Sequence, residues 1–315
     1  MGRYVAGAAP AMERLVEETV KGIGAEIGTL AVPCLQGVVL GGGYGRGEGG
    51  VFADGAEERL SNDLDFFAVT APDTSTDGIR AIMAALAPVS EAWTAKLGVD
   101  VDFVVRTPWR IRHDEARVMI QELVRGYVDV AGRPGAALFQ DVARRPPEAL
   151  PWTEAVRLLV NRGVGLTLAR TSGDAVFAER NVNKCVLGAG DAVLVARHAY
   201  AWRVEDRASA LGWPAYDAAM AWKFRPRAGG TCGWDEARNL WLQAVEEVRD
   251  AGRRDGADGR SLYQAARWIV RRRTLGDLRT LGQGAVVRIL NRLVRVVETR
   301  EALPPALRRD WQVFN

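Results

Sequence analysis

Cysteine and histidine are nearly absent from this chain of 315 residues, which has three cysteines (Cys34, Cys185, Cys232) and two histidines (His113, His198). Cysteines so widely spaced form neither a disulfide framework nor a Cys-x-x-Cys zinc site. Neither histidine stands at a zinc-ligand spacing, and both read as local structural residues. Any metal is therefore expected to be a hard cation bound through oxygen. Lysine is scarce too: it occurs only at Lys21, Lys96, Lys184 and Lys223, so 38 of the 42 basic residues are arginine, a bias a GC-rich genome explains. No apolar run approaches the length of a membrane span. The first twenty residues lack the apolar stretch of a signal peptide. With so few cysteines, a reducing, cytoplasmic setting is expected.

What is present is ordinary for a globular protein: 48% hydrophobic and 26% charged residues, which removes the disordered and fibrous classes. The length fits one large or two medium domains. A formal net charge of +3 hides a gradient. Residues 251–315 hold 14 arginines against 6 acids, a net of +8, which leaves −5 for residues 1–250. A basic stretch of that kind would follow an RNA backbone through phosphate contacts, form a solvated face, or lie against the acidic half.

The pattern along the chain alternates at first. Residues 11–29 read as a helix with Leu15, Val16 and Ile23 on one side. Residues 35–43 (LQGVVLGGG) read as a buried strand entering a glycine turn, and a glycine-rich, poorly periodic stretch follows. Residues 62–69 (NDLDFFAV) form a second strand. Residues 76–97 form a helix that Pro88 is expected to kink or break, and 99–105 (VDVDFVV) a third strand. This order predicts a compact α/β domain with a small mixed sheet over residues 1–145. The run RRPPEALP (144–151) marks the boundary, and residues 152–315 read as an all-α domain. Its last strong helix places Val286, Ile289, Leu290, Leu293 and Val296 on one stripe, with Arg288, Arg292 and Arg295 opposite. Another helix is expected at SLYQAARWIVRRR (261–273).

The chemistry concentrates between Gly41 and Asp102. Asp63 and Asp65 are separated by one residue on a strand, so both carboxylates point to one face, with Cα atoms roughly 6.5–7 Å apart. Such a pair repels unless a cation lies between its members, and Mg²⁺ suits it, because Mg²⁺ takes one or two carboxylates and completes its octahedron with water and phosphate oxygens. The next strand offers Asp100 and Asp102 on a common face. Three carboxylates from adjacent strands suit a two-metal site for displacement at phosphorus. Gly42 and Gly43 let backbone N–H groups approach phosphate oxygens without a Cβ in the way. Arg46 would pair with phosphate or with a carboxylate of the site. Tyr44 is expected to pack under the glycine turn.

The run GG-Y-G-R-G-E, then D-L-D, then a further Asp on a later strand resembles the DNA polymerase β-like nucleotidyltransferase superfamily. That group includes CCA-adding enzymes, poly(A) polymerases and aminoglycoside nucleotidyltransferases. The resemblance covers residues 36–105. It implies that Gly42 and Gly43 are the family's glycine pair, and that Asp63 and Asp65 are the metal-binding carboxylates. Asp102, with Asp100 as its rival, matches the third carboxylate, a general base or second-metal ligand. The implied cofactor is Mg²⁺ and the implied donor an NTP, with ATP expected. Residues 45–50 also satisfy Gly-x-Gly-x-x-Gly, but the segment after them is too glycine-rich and charged for the helix a dinucleotide fold requires. A P-loop is excluded, because no Gly-Lys-Ser/Thr follows.

The resemblance further implies a helical domain that contributes a basic residue to the triphosphate. Lys184, read as opening a helix, is the expected residue, with Lys223 second. Asp191 would orient Lys184 or face solvent. Five tryptophans at 202, 213, 222, 234 and 241 would pack the helical core or stack a ring. The expected reaction is transfer of a nucleoside monophosphate from an NTP to a small-molecule acceptor, releasing pyrophosphate. The alternatives are transfer to RNA or tRNA and a non-catalytic nucleotide-binding regulator.

Overall fold

A computed structural model describes residues 2–7, 9–54, 57–226, 232–254 and 278–314. The chain divides into two compact units, Met1–Arg145 with Lys223–Arg227, and Pro146–Trp222 with Ala228–Asn315. The division at residue 145 falls in the proline-rich run. The return of residues 223–227 to the first unit was not foreseen. Charge holds them there, Lys223 Nζ lying 3.0 Å from Glu48 and Arg225 Nη1 2.9 Å from Glu58.

The first unit is built on a four-stranded mixed sheet ordered β5-β4-β1-β6. Its strands are β1 (Leu35–Leu40), β4 (Leu64–Thr70), β5 (Val101–Arg106) and β6 (Val128–Gly132). β1 runs antiparallel to both β4 and β6, and β4 runs parallel to β5. The parallel pair needs a crossover, supplied by helix α3 (Thr76–Leu97). Ser75 caps α3 by accepting from Gly78 N–H at 3.1 Å, and Gly98 ends it in the left-handed region. Pro88 lies within α3 and does not break it. It sits on the exposed side, where the carbonyl it leaves unpaired reaches water, while Ile82, Leu86, Val89 and Trp93 hold the opposite face buried.

Both faces of the sheet are covered. One carries Val38, Leu40, Leu64, Phe66, Ala68 and Val101 in a core shared with α3 and with α1 (Pro10–Thr29). The other carries Val39, Phe67 and Val69. These pack with Ile111 from α4 (Pro108–His113) and with Ile120 and Leu123 from α5 (Val118–Leu123). Between β1 and β4 lie α2 (Gly42–Gly45) and a hairpin of β2 (Val51–Asp54) and β3 (Glu57–Leu60). The glycine-rich stretch thus holds a hairpin where the sequence shows no period. Only Val51 and Leu60, paired across it, are buried hydrophobics, which is too little apolar alternation to read.

The second unit is helical. After α6 (Gly135–Leu138) closes the first unit come α7 (Trp152–Thr171), α8 (Ala175–Ala196), α9 (Val204–Leu211), α10 (Pro214–Phe224) and α11 (Trp234–Arg254). They are followed by α12 (Leu278–Thr299) and α13 (Pro305–Phe314). In α12 the stripe of Val286, Ile289, Leu290, Leu293 and Val296 is buried, and Arg288, Arg292 and Arg295 are exposed, as the periodicity requires. The helix expected at 261–273 lies outside the described residues. Among the described residues, no helix is long and apolar enough to cross a membrane.

Trp241 is the largest fully buried side chain of this unit. Its indole N–H donates to Leu159 O at 2.9 Å, and its ring leaves room for nothing larger than glycine at 163. Trp241→Ala is expected to cost about 3–5 kcal/mol, lowering the melting temperature of this unit by roughly 6–20 °C. Calorimetry of the purified variant checks this, and an unchanged transition would contradict the packing role. His198 bonds Glu148 O through Nδ1 at 3.0 Å, and His113 lies 3.3 Å from Asp114, so both histidines serve local structure.

Candidate active site

β1 leads into the glycine turn because its last residues are buried aliphatics and the next three are glycines. Gly41 N–H donates to Asp65 O at 2.8 Å, which fixes the turn beside the start of β4. Gly42 then adopts φ +60°, and a methyl there would lie 2.1 Å from Asp65 Oδ2. The Asp65 carboxylate therefore rests directly on the glycine backbone. Gly43 differs: its φ is not left-handed, and a methyl there would meet nothing closer than Glu48 O at 3.4 Å. Local packing does not require glycine at 43. Tyr44 is buried beneath the turn, with its hydroxyl donating to Gly50 O at 2.7 Å.

Register places the carboxylates. Asp65 pairs with Asp102 across the parallel strands, so the two side chains project from the same face of strands about 4.8 Å apart. Asp63 and Asp100 each lie just outside their strands, which begin at Leu64 and Val101. Leu64 N–H donates to Asp100 O at 2.9 Å, which joins the two strand entries. Of the two acids left open at the third position, Asp102 is the one opposite Asp65. Its carboxyl is raised above its ordinary value, first by partial desolvation, then by the negative charges of Asp100 and Asp63. Asp100 and Asp63 thus act electrostatically on Asp102, and Asp65 is joined to Asp102 by register.

An all-oxygen set on one face, against a glycine backbone, fits a hard divalent cation such as Mg²⁺. Among the described residues, no group of three or more His, Cys, Asp or Glu side chains is placed to hold a metal ion. Carboxylates of like charge on neighbouring strands diverge unless a cation draws them together.

Arg46 takes the carboxylate alternative of its two expected roles. Its guanidinium lies 3.2 Å from Glu48 and 3.1 Å from Glu122. Glu48, nearly fully buried, also receives Lys223 at 3.0 Å. Lys223 closes α10, where a cation is favoured by the helix dipole. Two cations and two carboxylates therefore surround the end of the glycine turn, which Glu48 N–H also closes by donating to Gly43 O at 2.8 Å. Sequence reasoning passed over Glu48 and Glu122. Glu48 had a signal, as an acid inside a run of glycines, whereas Glu122 had none.

Lys184 is not at a helix start. It lies half-buried in the interior of α8, whose N-cap is Asp174, with the carboxylate accepting from Val176 N–H at 2.9 Å and Phe177 N–H at 3.1 Å. The helix-terminus reason for choosing Lys184 therefore fails. Asp191 does not face solvent: Tyr216 donates to it at 2.6 Å and the buried Arg207 lies 3.1 Å away. Of the tryptophans, Trp241 is core, and Trp222 and Trp234 spend their indole N–H groups on Glu179 and Leu166 O.

Compared with known proteins, the chain matches no family model, and no curated protein matches it.

Proposed function

We propose that this chain is a Mg²⁺-dependent nucleotidyltransferase of the polymerase β-like kind. It would move a nucleoside monophosphate from an NTP, ATP first, to a hydroxyl of a small-molecule acceptor. The observation that carries this reading is the pairing of Asp65 with Asp102 on parallel strands, with the Asp65 carboxylate seated on Gly42. In this reading Asp63, Asp65 and Asp102 hold the metal, which when bound neutralises phosphate charge and polarises the reacting phosphorus. The N–H groups of Gly42 and Gly43, at the start of α2 and outside its i→i−4 ladder, donate to phosphate oxygens. Asp102, with its raised proton affinity, accepts the proton of the acceptor hydroxyl. The acceptor oxygen bonds the α-phosphorus, the α–β bridging bond breaks, and pyrophosphate leaves. Arg46 and Lys223 act through Glu48 to hold the glycine turn. Lys184 keeps a place in the reading only as a basic residue of the helical unit.

The exposed arginines 288, 292 and 295 of α12 favour RNA as the second acceptor class. Incubation with α-labelled NTPs, Mg²⁺ and separate pools of small hydroxylic or amino compounds and of tRNA tests both. Label in the small-molecule pool, insensitive to salt between about 50 and 200 mM, is expected. Label in RNA that is lost steeply over that range would select the second reading. If no NTP raises the melting temperature in Mg²⁺, the nucleotide reading fails.

A further inference from the structure

The helical unit holds a cleft of about 590 Å³, well away in sequence from the carboxylate strands. Its walls include Arg170 from the end of α7, Ala178, Glu179 and Val182 from one face of α8, Trp234 from the start of α11, and Arg300 just past α12. The volume falls in the range of small-molecule sites. What distinguishes it is the arrangement of charge on an otherwise apolar and aromatic wall.

Trp234 is fixed by its N–H bond to Leu166 O at 2.8 Å, and two guanidiniums lie near its ring, that of Arg170 at 5.6 Å and that of Arg300 at 5.8 Å from the centroid. Arg300 is already neutralised, with Asp235 at 2.6 Å. It also occupies an unusual backbone position. Its φ is +58°, and Glu301 N–H returns to Val296 O at 3.1 Å, so it fills the left-handed place after a helix that glycine normally takes. An arginine at that place is strained, and what it adds is the clamp on Trp234 and Asp235.

Arg170 and Glu179 are different. Glu179 accepts from Trp222 Nε1 at 3.2 Å, and Arg170 lies over Trp234. Among the described residues neither forms an ion pair, although both line the same cleft, so their charged atoms are held more than 4.0 Å apart. Two opposite charges in one wall that do not pair with each other, with Ala178 and Val182 beside them, form a site for a molecule that carries both charges itself. Cys232, also in the wall, has its thiol pushed up to about 12 by burial and then by Glu236. It stays protonated and offers no thiolate nucleophile.

We propose that this cleft binds a small zwitterion with a flat apolar body, its ammonium at Glu179, its carboxylate at Arg170 and its ring against Trp234 and Val182. The site is independent of the nucleotide reading. Calorimetric titration of the full chain with L-phenylalanine, phenethylamine, 3-phenylpropanoate and benzyl alcohol tests it. L-Phenylalanine is expected to saturate the protein below about 10 mM, with each single-charge analogue weaker by about tenfold or more and the alcohol weaker still. Glu179→Gln should weaken L-phenylalanine about tenfold while leaving 3-phenylpropanoate unchanged. Arg170→Gln should likewise weaken L-phenylalanine about tenfold, and 3-phenylpropanoate with it, while sparing phenethylamine. Both side chains are at the surface or half-buried, and the ligand ranking on the wild-type chain decides the matter even if a variant fails to fold. Absence of saturable heat with L-phenylalanine, equal binding of the alcohol, or variants that leave the ranking unchanged would each overturn the proposal.

Discussion

Asp65→Asn is expected to lower Mg²⁺-dependent transfer by on the order of 10³-fold without lowering thermal stability. The two expectations have one cause. Asp65 stands opposite Asp102 in register, and Asp102 already feels the charges of Asp63 and Asp100. Asparagine keeps the shape and removes a negative charge from a like-charge group, so the metal-free protein holds or gains stability. A structural carboxylate would show the opposite sign. The same electrostatics sets a pH dependence. The folded-state pKa of Asp102 is raised above the ordinary aspartate value of 3.8, so the stability it contributes is present below that value and is lost as pH rises through the raised one. Near pH 7 the ionised cluster is therefore at its least favourable, and Mg²⁺ is expected to raise the melting temperature there, but little near pH 4. Differential scanning calorimetry with and without Mg²⁺ at both pH values, on wild type and Asp65→Asn, measures this. Full transfer by the variant, or a melting temperature several degrees below wild type, would remove Asp65 from the metal site.

The second large effect separates two adjacent glycines. Gly42→Ala meets a left-handed φ of +60° and a carboxylate oxygen 2.1 Å from the new methyl. The backbone strain alone costs about 1–2 kcal/mol, and relieving the clash drives Asp65 from its place, so stability and transfer should fall together. Gly43→Ala meets only Glu48 O, at 3.4 Å. Its stability should stay within about 1 kcal/mol of wild type, because alanine also makes the unfolded chain less flexible. NTP binding should nonetheless weaken at least tenfold, because the methyl stands where phosphate oxygens would approach. Urea denaturation and NTP-dependent thermal shifts of the two variants read both quantities. If Gly43→Ala binds NTP as wild type does, the glycine pair is not a phosphate seat.

Much of this arrangement is visible in the residues because it depends on short spacings. The strands that carry Asp65 and Asp102 follow from their apolar alternation, whereas Asp63 falls just before the strand expected to include it. The buried and exposed sides of α12 follow from a helical period. The hairpin of β2 and β3 escaped detection because two buried residues make no pattern, although the Asp54-Gly55 dipeptide is a turn signal. Lys184 lies inside its helix because α8 begins at Ala175, well before it. Ser172-Gly173-Asp174 marks the true start, since Asp174 is a strong N-cap. Pro88 misled in the other direction: a proline on a solvent-facing turn is tolerated when the opposite face is well packed.

The residue order by itself carries the grounds for the proposed chemistry: few soft ligands, acids spaced by two, and glycines before them. It also determined the division into an α/β unit and a helical one, because hydrophobic period and proline placement are local properties. Tertiary structure alone decided which acid of the third strand stands beside Asp65, since strand register depends on a crossover through 22 residues of α3. It alone brought Lys223 to Glu48 across 175 positions and gathered Arg170, Glu179 and Trp234 into one cleft. Such pairings are set by which faces bury together, a property of the packed chain that no short window of sequence contains.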